Sequence, residues 1–419
     1  MRIICAGGGP AGLYFAVLAK LSDPAHEVTV VERNPAGVTY GWGVVFWDDL
    51  LDDLFRHDPV SARMIWDAAC QWDEYEVRVT GKRPAHLPGY GFSLGRRILL
   101  DILARRATEL GVQIHYRDEL SDLSEYPDAD LVLACDGGRS RLRDRYADHH
   151  GTAVDIGTNK YIWLGTSHVF KTFRFGFEKT PAGWIWFHAY PFTDQQSTFI
   201  VECRPETWAA LGFDRMEADE GCTRLEEIFA AHLDGHPLID HRAEVGGTGW
   251  LNFRRITNER WDHGNLVLMG DAAHTTHFAI GSGTKLAIQD AMALAEELST
   301  GDDLAVVLER YEHRRKSALA PLQRAAKASS EWFERMPQYG GLSGSQFAYA
   351  LANRRGEYPA WRYLLHIATR SAAPRMLLRW TLGVRRWHRA RRRMAHTELT
   401  AQVSRTVPIP RIRSRTAKG

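Results

Sequence analysis

The residues best equipped for chemistry stand near the start of the chain. Gly7-x-Gly9-x-x-Gly12 follows the apolar run Arg2–Ala6 and opens the helical stretch Leu13–Leu21, and Glu32 stands 20 residues past the last glycine, closing the β-branched run Val28–Glu32. Strand, tight turn, helix and strand in that order are the fingerprint of a dinucleotide site. Gly7 permits the turn, Gly9 lets a pyrophosphate approach the backbone, and Gly12 lets helix and strand pack closely. Pro10 and Ala11 fall in the helix's first turn, whose free N–H groups and positive dipole end face the phosphates. Glu32 accepts hydrogen bonds from ribose hydroxyls, with Arg33 beside it. The competing reading is a glycine-rich turn with no ligand; the acid and both strands in place weigh against it. No Lys-Ser/Thr follows the glycines, which argues against a P-loop.

Further motifs lie downstream. A strand beginning at Asp130 leads to Asp136-Gly137-x-x-Ser140-x-x-Arg143, and Gly270-Asp271-Ala272-Ala273-His274 follows the apolar run Leu266–Met269. In the run YGWGVV, Trp42 sits between Gly41 and Gly43, which suggests a loop close to a ligand and able to move. His274 and His277 form H-x-x-H, but without a third ligand or an H-E-x-x-H pattern no metal is expected. Neither a nucleophilic triad nor a paired carboxylate is visible.

Two kinds of element must position these groups. The first continues the α/β texture, with a helix over Arg96–Leu110, strands over Val112–Tyr116 and Ala129–Cys135, and helices over Thr284–Leu298 and Leu304–Met336. The second is a set of short aromatic and β-branched segments, Lys160–Ser167, Phe173–Glu178, Trp184–Tyr190 and Ser197–Cys203, which predict an antiparallel sheet. An amphipathic helix follows over Glu217–Leu233. Alternation sends Tyr161 and Trp163 to one face of their strand, and Trp184, Trp186, His188 and Tyr190 to one face of theirs. These are walls for an aromatic ring or plain core packing, and the chain's 14 tryptophans leave both open.

At 419 residues, with 44% hydrophobic and 25% charged residues, the chain has room for two domains and the composition of a globular protein. Its net charge of +2 hides an asymmetry: Ser371–Gly419 holds 13 of the 53 basic residues and one of the 51 acids. Residues 1–370 therefore carry 40 basic and 50 acidic side chains, a net −10, against +12 in the tail. Such a tail is read as a solvated end, as a grip on phosphate groups or an acidic carrier, or as an attachment to nucleic acid or a membrane surface, Trp380 and Trp387 giving a weakly amphipathic helix over Arg375–Met394. Five widely spaced cysteines without a C-x-x-C pair fit a reducing compartment. Met1–Lys20 reads as the opening of the nucleotide fold rather than as a signal peptide, and no apolar run is long enough to span a membrane, so a cytoplasmic protein is expected.

The three motifs, in this order and spacing, resemble those of the flavin-dependent aromatic hydroxylases that carry a single FAD domain, over roughly residues 1–340. In that family the Gly-Asp carboxylate, here Asp271 beside Ala272, holds the ribityl chain. An arginine opening a helix approaches the pyrophosphate, matching Arg96, and the Asp136-Gly137 element serves FAD and nicotinamide. The runs YGWGVVF, NKYIWLGTS, STFIVEC, HFAIGSGTKLA and SSEWFE resemble a subgroup containing the violacein-pathway hydroxylase and the hydroxylases of salicylyl-CoA and anthraniloyl-CoA; FRFGFEKTPAGWIWFHAYPF looks more like the aryl-CoA branch. Phe278 and Lys285 stand where most of these hydroxylases have Pro and Asn, a departure that the subgroup shares.

The resemblance implies an α/β fold: a Rossmann-type FAD-binding domain (1–155 and 255–340) interrupted by an antiparallel β-sheet substrate domain (156–254), then a helical C-terminal region with the basic tail (341–419). It implies hydroxylation of an aromatic ring with NADH or NADPH and O2, through a flavin C4a-hydroperoxide. Backbone N–H groups of the Gly281, Ser282, Gly283 and Thr284 loop would lie against the flavin pyrimidine. Trp42 and Gly43 would flank the flavin. His277 would hydrogen-bond the substrate, and Tyr161, Trp163, Trp186, His188 and Phe278 would surround it. The expected substrate is a small aromatic, an aryl thioester such as salicylyl-CoA or anthraniloyl-CoA or its carrier-tethered equivalent, with no nucleic-acid partner. A free indole-derived substrate is the alternative enzyme reading, and a non-catalytic FAD-binding partner protein the alternative of another class.

Overall fold

The computed structural model describes residues 1–39, 41–240, 249–356, 366–367 and 372–406. Tyr40 of the YGWGVV run and the last part of the basic tail, 407–419, lie outside the described residues. In chain order the strands are β1 (Arg2–Ala6), β2 (Glu27–Glu32), β3 (Gly43–Phe46), β4 (Cys70–Val79), β5 (Ala85–Gly95), β6 (Gln113–Tyr116), β7 (Leu131–Ala134), β8 (Ala153–Thr166), β9 (Phe173–Thr180), β10 (Gly183–Pro191), β11 (Ser197–Cys203), β12 (Leu238–Ile239), β13 (Leu251–Thr257), β14 (Asp262–His263) and β15 (Leu266–Leu268). The main helices are α1 (Pro10–Ser22), α2 (Asp48–His57), α3 (Pro59–Ala68), α4 (Arg96–Glu109), α5 (Gly283–Leu298), α6 (Leu304–Glu334), α7 (Gly344–Asn353) and α8 (Ala372–Thr406).

The first sheet runs β14-β15-β7-β1-β2-β6 and is parallel except at β14. Its strands β1, β7 and β15 read IICA, LVLA and LVL because helices cover both faces, and every residue of these runs is buried. Helices α1, α4 and α5 pack here, with Tyr14, Phe15, Leu103, Leu286 and Leu294 in one core. The carboxyl ends of β1, β2, β7 and β15 point to one edge, where ligands of open α/β sheets bind.

The second sheet runs β12-β8-β11-β10-β9-β4-β5-β3, with β13 paired to β8, and is antiparallel apart from the parallel pair β4–β9. Three of its strands, β3 to β5, come from residues 43–95, a segment that the sequence reading assigned wholly to the nucleotide domain. The charged pattern of β4 explains the difference. Its inward Glu74 and Glu76 are buried and held by His86 at 3.1 Å and by Arg78 and Arg174 at 2.7 and 2.8 Å, so the strand does not alternate in hydrophobicity. One face of this sheet packs Phe177 and Trp186 against Trp332, Phe333 and Phe347 from α6 and α7. The other face packs Phe187 and Phe199 against Phe229. The stretch Glu217–Leu233 divides into two helices, Ala218–Ile228 and Ala230–Leu233.

The basic tail does not simply extend into solvent. Helix α8 lies against α2: Arg389 reaches Asp48 at 2.9 Å, Arg393 reaches Asp48 at 2.6 Å and also binds Asp52, and Arg386 pairs with Asp73. Asp48 and Arg393 are 3% and 6% exposed. Burial opposes the charge on Asp48, but hydrogen bonds from Tyr90, Arg393 and Arg389 outweigh it and hold its carboxyl below the usual range. A carboxyl lowered in this way stabilises the fold above its unfolded pKa of about 3.9 and loses that contribution as pH falls through its folded value. Arg393→Met, which leaves Asp48 buried with one cation fewer, should cost about 2–4 kcal/mol in urea unfolding at pH 7. The difference from wild type should shrink on acidification below about pH 4. A pH-independent loss under about 0.5 kcal/mol would contradict the docking.

Candidate functional site

The glycine turn is built for close backbone approach. Gly7 has φ +122°, and a Cβ there would stand 2.4 Å from the Cys135 carbonyl oxygen; one on Gly12 would stand 2.2 Å from the Gly7 carbonyl oxygen. Gly9 is the N-cap of α1 and Pro10 its first residue. Across the turn, Glu32 accepts from the Gly8 N–H at 2.7 Å and from the Asn34 N–H at 2.8 Å, which fixes the acid at the end of β2.

A cleft of about 460 Å³ opens at this edge, lined by Gly7, Gly9, Pro10, Ala11, Glu32, Arg33, Arg96, Asp136, Gly137, Asp271, Gly283 and Thr284. Gly12 packs behind it. Ala272 is buried behind the Asp271 loop, its carbonyl accepting from Arg143 and Asn258. Arg96 begins α4, with its backbone N–H on the Trp42 carbonyl at 2.7 Å and its Nε on the Thr39 hydroxyl at 3.0 Å. Asp271 is exposed to the open cleft, and the protein crowded around it raises its carboxyl pKa by desolvation, with Arg96 opposing. Asp136 keeps Oδ1 buried and without a partner among the described residues.

The Gly270–Asp271 turn is pinned from behind by Asp290 on α5. This fully buried carboxylate accepts from the Gly270 N–H at 3.0 Å and from Arg315 Nε at 2.6 Å, and it pairs with His274 Nε2 at 2.8 Å. Trp261 stacks on the His274 ring. His274 thus serves the turn, and among the described residues no group of His, Cys, Asp and Glu is arranged to hold a metal.

A second cavity of about 240 Å³ adjoins the cleft, the two sharing Arg96, Tyr161, Asp271, Gly283 and Thr284. Its walls include Gly43, Trp47, Tyr75, Tyr161, Trp163, Phe173, Phe175, His188, Tyr190, Phe278, Gly281, Ser282 and Arg355. Gly281 has φ +64° and lies so close to Val45 and Trp47 that a Cβ would stand 2.6 Å from Val45 Cγ2.

Three residues expected at the site stand elsewhere. His277 does not line the cavity: its Nδ1 accepts from the Ala279 N–H at 3.2 Å, its ring packs on Phe253, and burial pushes its pKa down to about 3. Trp186 shares a strand face with His188 but lies beneath α6, stacked on Phe333, with Nε1 on Glu202 at 3.1 Å. Trp42 is buried against Gly165 and Phe192. Its loop is pinned too, since the Gly43 N–H binds Thr198 Oγ1 and the Gly43 carbonyl accepts from Tyr190, both at 2.8 Å.

Sequence reading missed the groups that brace the 278–281 loop. Arg354 donates through Nη2 to the Ala279 carbonyl at 3.0 Å and through Nε to Ser329 at 3.1 Å, and Arg355 reaches the Ala279 and Ile280 carbonyls at 3.3 and 3.4 Å. They follow α7 directly, past the region of resemblance, and no local motif marks them.

A glycine cradle on a helix N-terminus, a fixed ribose acid and an aromatic chamber sharing walls with the nucleotide cleft define a dinucleotide-dependent enzyme that works on a ring. The cradle with no room for a Cβ, the unpaired Asp136 oxygen and the continuity of cleft and chamber fit FAD. The profile of the FAD binding domain family matches residues 97–326. The chain is 40% identical to a salicyloyl-CoA 5-hydroxylase of a Streptomyces species, over 84% of this chain and 70% of that protein. It is 36% identical to a 3-hydroxy-4-methyl-anthranilyl-[aryl-carrier protein] 5-monooxygenase of Streptosporangium sibiricum, over 87% and 97% of the two chains. A protodeoxyviolaceinate monooxygenase of Chromobacterium violaceum is 31% identical over 86% and 96%. The fold matches 2-methyl-3-hydroxypyridine-5-carboxylic acid oxygenase with a TM-score of 0.66 at 19% identity, covering 84% of this chain and 95% of that one. The chain belongs to the FAD-binding aromatic hydroxylases, flavin-dependent monooxygenases that use NAD(P)H as reductant. No helix among the described residues is long and apolar enough to cross a membrane.

Gly12→Ala places a methyl group within van der Waals overlap of the Gly7 carbonyl, so FAD affinity, followed by flavin fluorescence on dilution, should fall at least about tenfold. Retention equal to wild type would remove the close approach from the account.

Proposed function

We propose that the enzyme hydroxylates the ring of an aryl thioester whose acyl handle is CoA or a carrier protein. The observation that carries this reading is the size and lining of the second cavity. At about 240 Å³ it is smaller than the about 300–1,000 Å³ of pockets for drug-sized ligands, which suits one substituted ring with the handle left outside. Aromatic side chains are prominent in its walls, with Asp271 the one carboxylate among the described lining residues. Two relatives, 40% and 36% identical, have names that specify CoA- and carrier-linked aromatic substrates, which supports the same reading.

The bound flavin supplies the redox chemistry, passing electrons from NAD(P)H to dioxygen and one oxygen atom to the ring. The protein's share is placement and exclusion of water. Tyr161 and Phe278, with ring centroids 4.7 Å apart, close the side of the chamber next to the cleft. The Gly281–Thr284 backbone turns into α5 at the border of cleft and chamber, so the free N–H groups of that helix start face charge developing on a bound ring system. Arg354 and Arg355 hold the opposite, carbonyl side of this loop. Burial drives the pKa of His188 well below its ordinary value, so the chamber presents a neutral imidazole at pH 7.

A free indole-derived substrate is the second reading, favoured by the 31% identical protodeoxyviolaceinate monooxygenase. Substrate-stimulated NAD(P)H oxidation, measured with aryl-CoA thioesters beside free aromatic acids and indoles, separates the two. At least one thioester should stimulate oxidation about tenfold or more over the matching free acid. Inactivity of every thioester, alongside turnover of a free aromatic, would overturn the proposal.

A further inference from the structure

Helix α8 has two faces of different character. The inner face is docked: Arg386, Arg389 and Arg393, three and four residues apart, pair with Asp73, Asp48 and Asp52, and the Arg393 guanidinium lies 5.1 Å from the Trp66 ring centroid. Leu378 and Leu382 are partly buried on the same side. The outer face carries Met376, Trp380, Val384 and Trp387, spaced four, four and three, with Leu377 at its edge. That spacing gathers the side chains into one stripe about 100° wide, on the side of the helix turned away from the docked arginines.

The stripe is uncovered. Met376 is 72%, Trp380 66% and Trp387 53% exposed. Among the described residues, five of the fourteen exposed large apolar side chains, with both exposed tryptophans, fall between Met376 and Trp387. Single exposed apolar residues need no explanation, but a contiguous patch with a polar rim marks an interaction surface. Here the rim is basic. Arg385 and Arg392 are exposed on one flank beside His388, and Arg391 stands within the stripe, its guanidinium 4.6 Å from the Trp387 ring centroid. Of the 35 residues of α8, nine are arginines and Glu398 is the one acid.

The occupant that complements this face is anionic and apolar together. A second copy of α8 would set arginines against arginines. A folded protein partner exchanges about one hydrogen bond per 100–200 Å² of interface, whereas Met376, Leu377 and Val384 offer none and the two tryptophans only an indole N–H each. An anionic bilayer surface meets every group: aliphatic side chains enter the acyl boundary, tryptophan rings sit at headgroup depth, and arginines reach lipid phosphates.

We propose that the outer face of α8 lies in the headgroup region of an anionic membrane, held by the Met376–Trp387 stripe and by Arg385, Arg391 and Arg392. Arg386, Arg389 and Arg393 fix the other side of the helix to the body, so the folded enzyme as a whole is placed at the lipid surface.

Co-sedimentation of the full-length, FAD-loaded enzyme with extruded vesicles tests this. Vesicles of phosphatidylglycerol and phosphatidylcholine in equal parts should bind at least about tenfold more tightly than phosphatidylcholine alone, and the difference should shrink as salt rises from about 0.1 M to about 0.5 M. The double variant Trp380→Ser, Trp387→Ser leaves the docked face intact; its affinity for the mixed vesicles should fall at least about tenfold, with FAD content and NAD(P)H oxidation unchanged. Arg385→Glu with Arg392→Glu should weaken the same binding by a similar factor. Equal binding to both kinds of vesicle would overturn the proposal, as would undiminished binding of the double tryptophan variant, which would show adsorption by charge alone. No binding to the mixed vesicles would overturn it outright, and retention of the same enzyme on an immobilised acidic carrier protein or on duplex DNA would then assign the face to that partner.

Discussion

The buried contact between Asp290 and the Gly270 backbone sets the geometry on which the rest of the site depends. Asp290 stands on α5, Gly270 just after β15, and Arg315 on α6, so one carboxylate ties the sheet edge to two helices. Burial opposes its charge, but His274 and Arg315 outweigh that and hold it below the usual carboxylate range. A buried pair of this kind is weak evidence for net stability, yet losing one partner is expensive. Its return lies in register: the same helix begins at Gly283, so fixing α5 places the Gly281–Thr284 loop and the Asp271 turn at a set separation.

The nucleotide cleft and the ring chamber are consequently one device. Arg96, Tyr161 and Asp271 belong to both, and the 278–281 loop is held at its carbonyls by Arg354 and by Arg355, the latter a chamber residue. Trp47, whose ring approaches Gly281, immediately precedes Asp48, the residue that anchors the basic helix α8. The charge asymmetry between body and tail is thus used in part within the molecule, where tail arginines meet the acids of α2.

Much of the nucleotide half was legible because its signals are local. Gly7, Gly9, Gly12 and Glu32 act within a single strand–helix–strand unit, and fully covered strands read as continuous apolar runs. The substrate half was legible only in part. Alternation put His188 and Trp186 on one face correctly, but α6 and α7 cover half of that face, and only the uncovered half is chamber. β4 was hidden because its buried acids are paired, Glu74 with His86 and Glu76 with Arg78 and with Arg174 from β9. His277 was read as a substrate ligand from its place beside the expected flavin loop; its Nδ1 instead accepts from the Ala279 N–H and its ring packs on Phe253. Arg354, Arg355 and the α8 contacts act across the sequence, Arg393 meeting Asp48 from the far end of the chain, and no spacing rule marks such pairs.

Asp290→Asn tests the central claim most directly, because it keeps the volume and removes the charge that holds Gly270, His274 and Arg315 together. With helix content unchanged by circular dichroism, FAD affinity measured by fluorescence should fall at least about tenfold, with a stability loss of about 3–5 kcal/mol. FAD bound as tightly as in wild type, in a protein that has lost that stability, would show that the carboxylate supports the fold without setting the site.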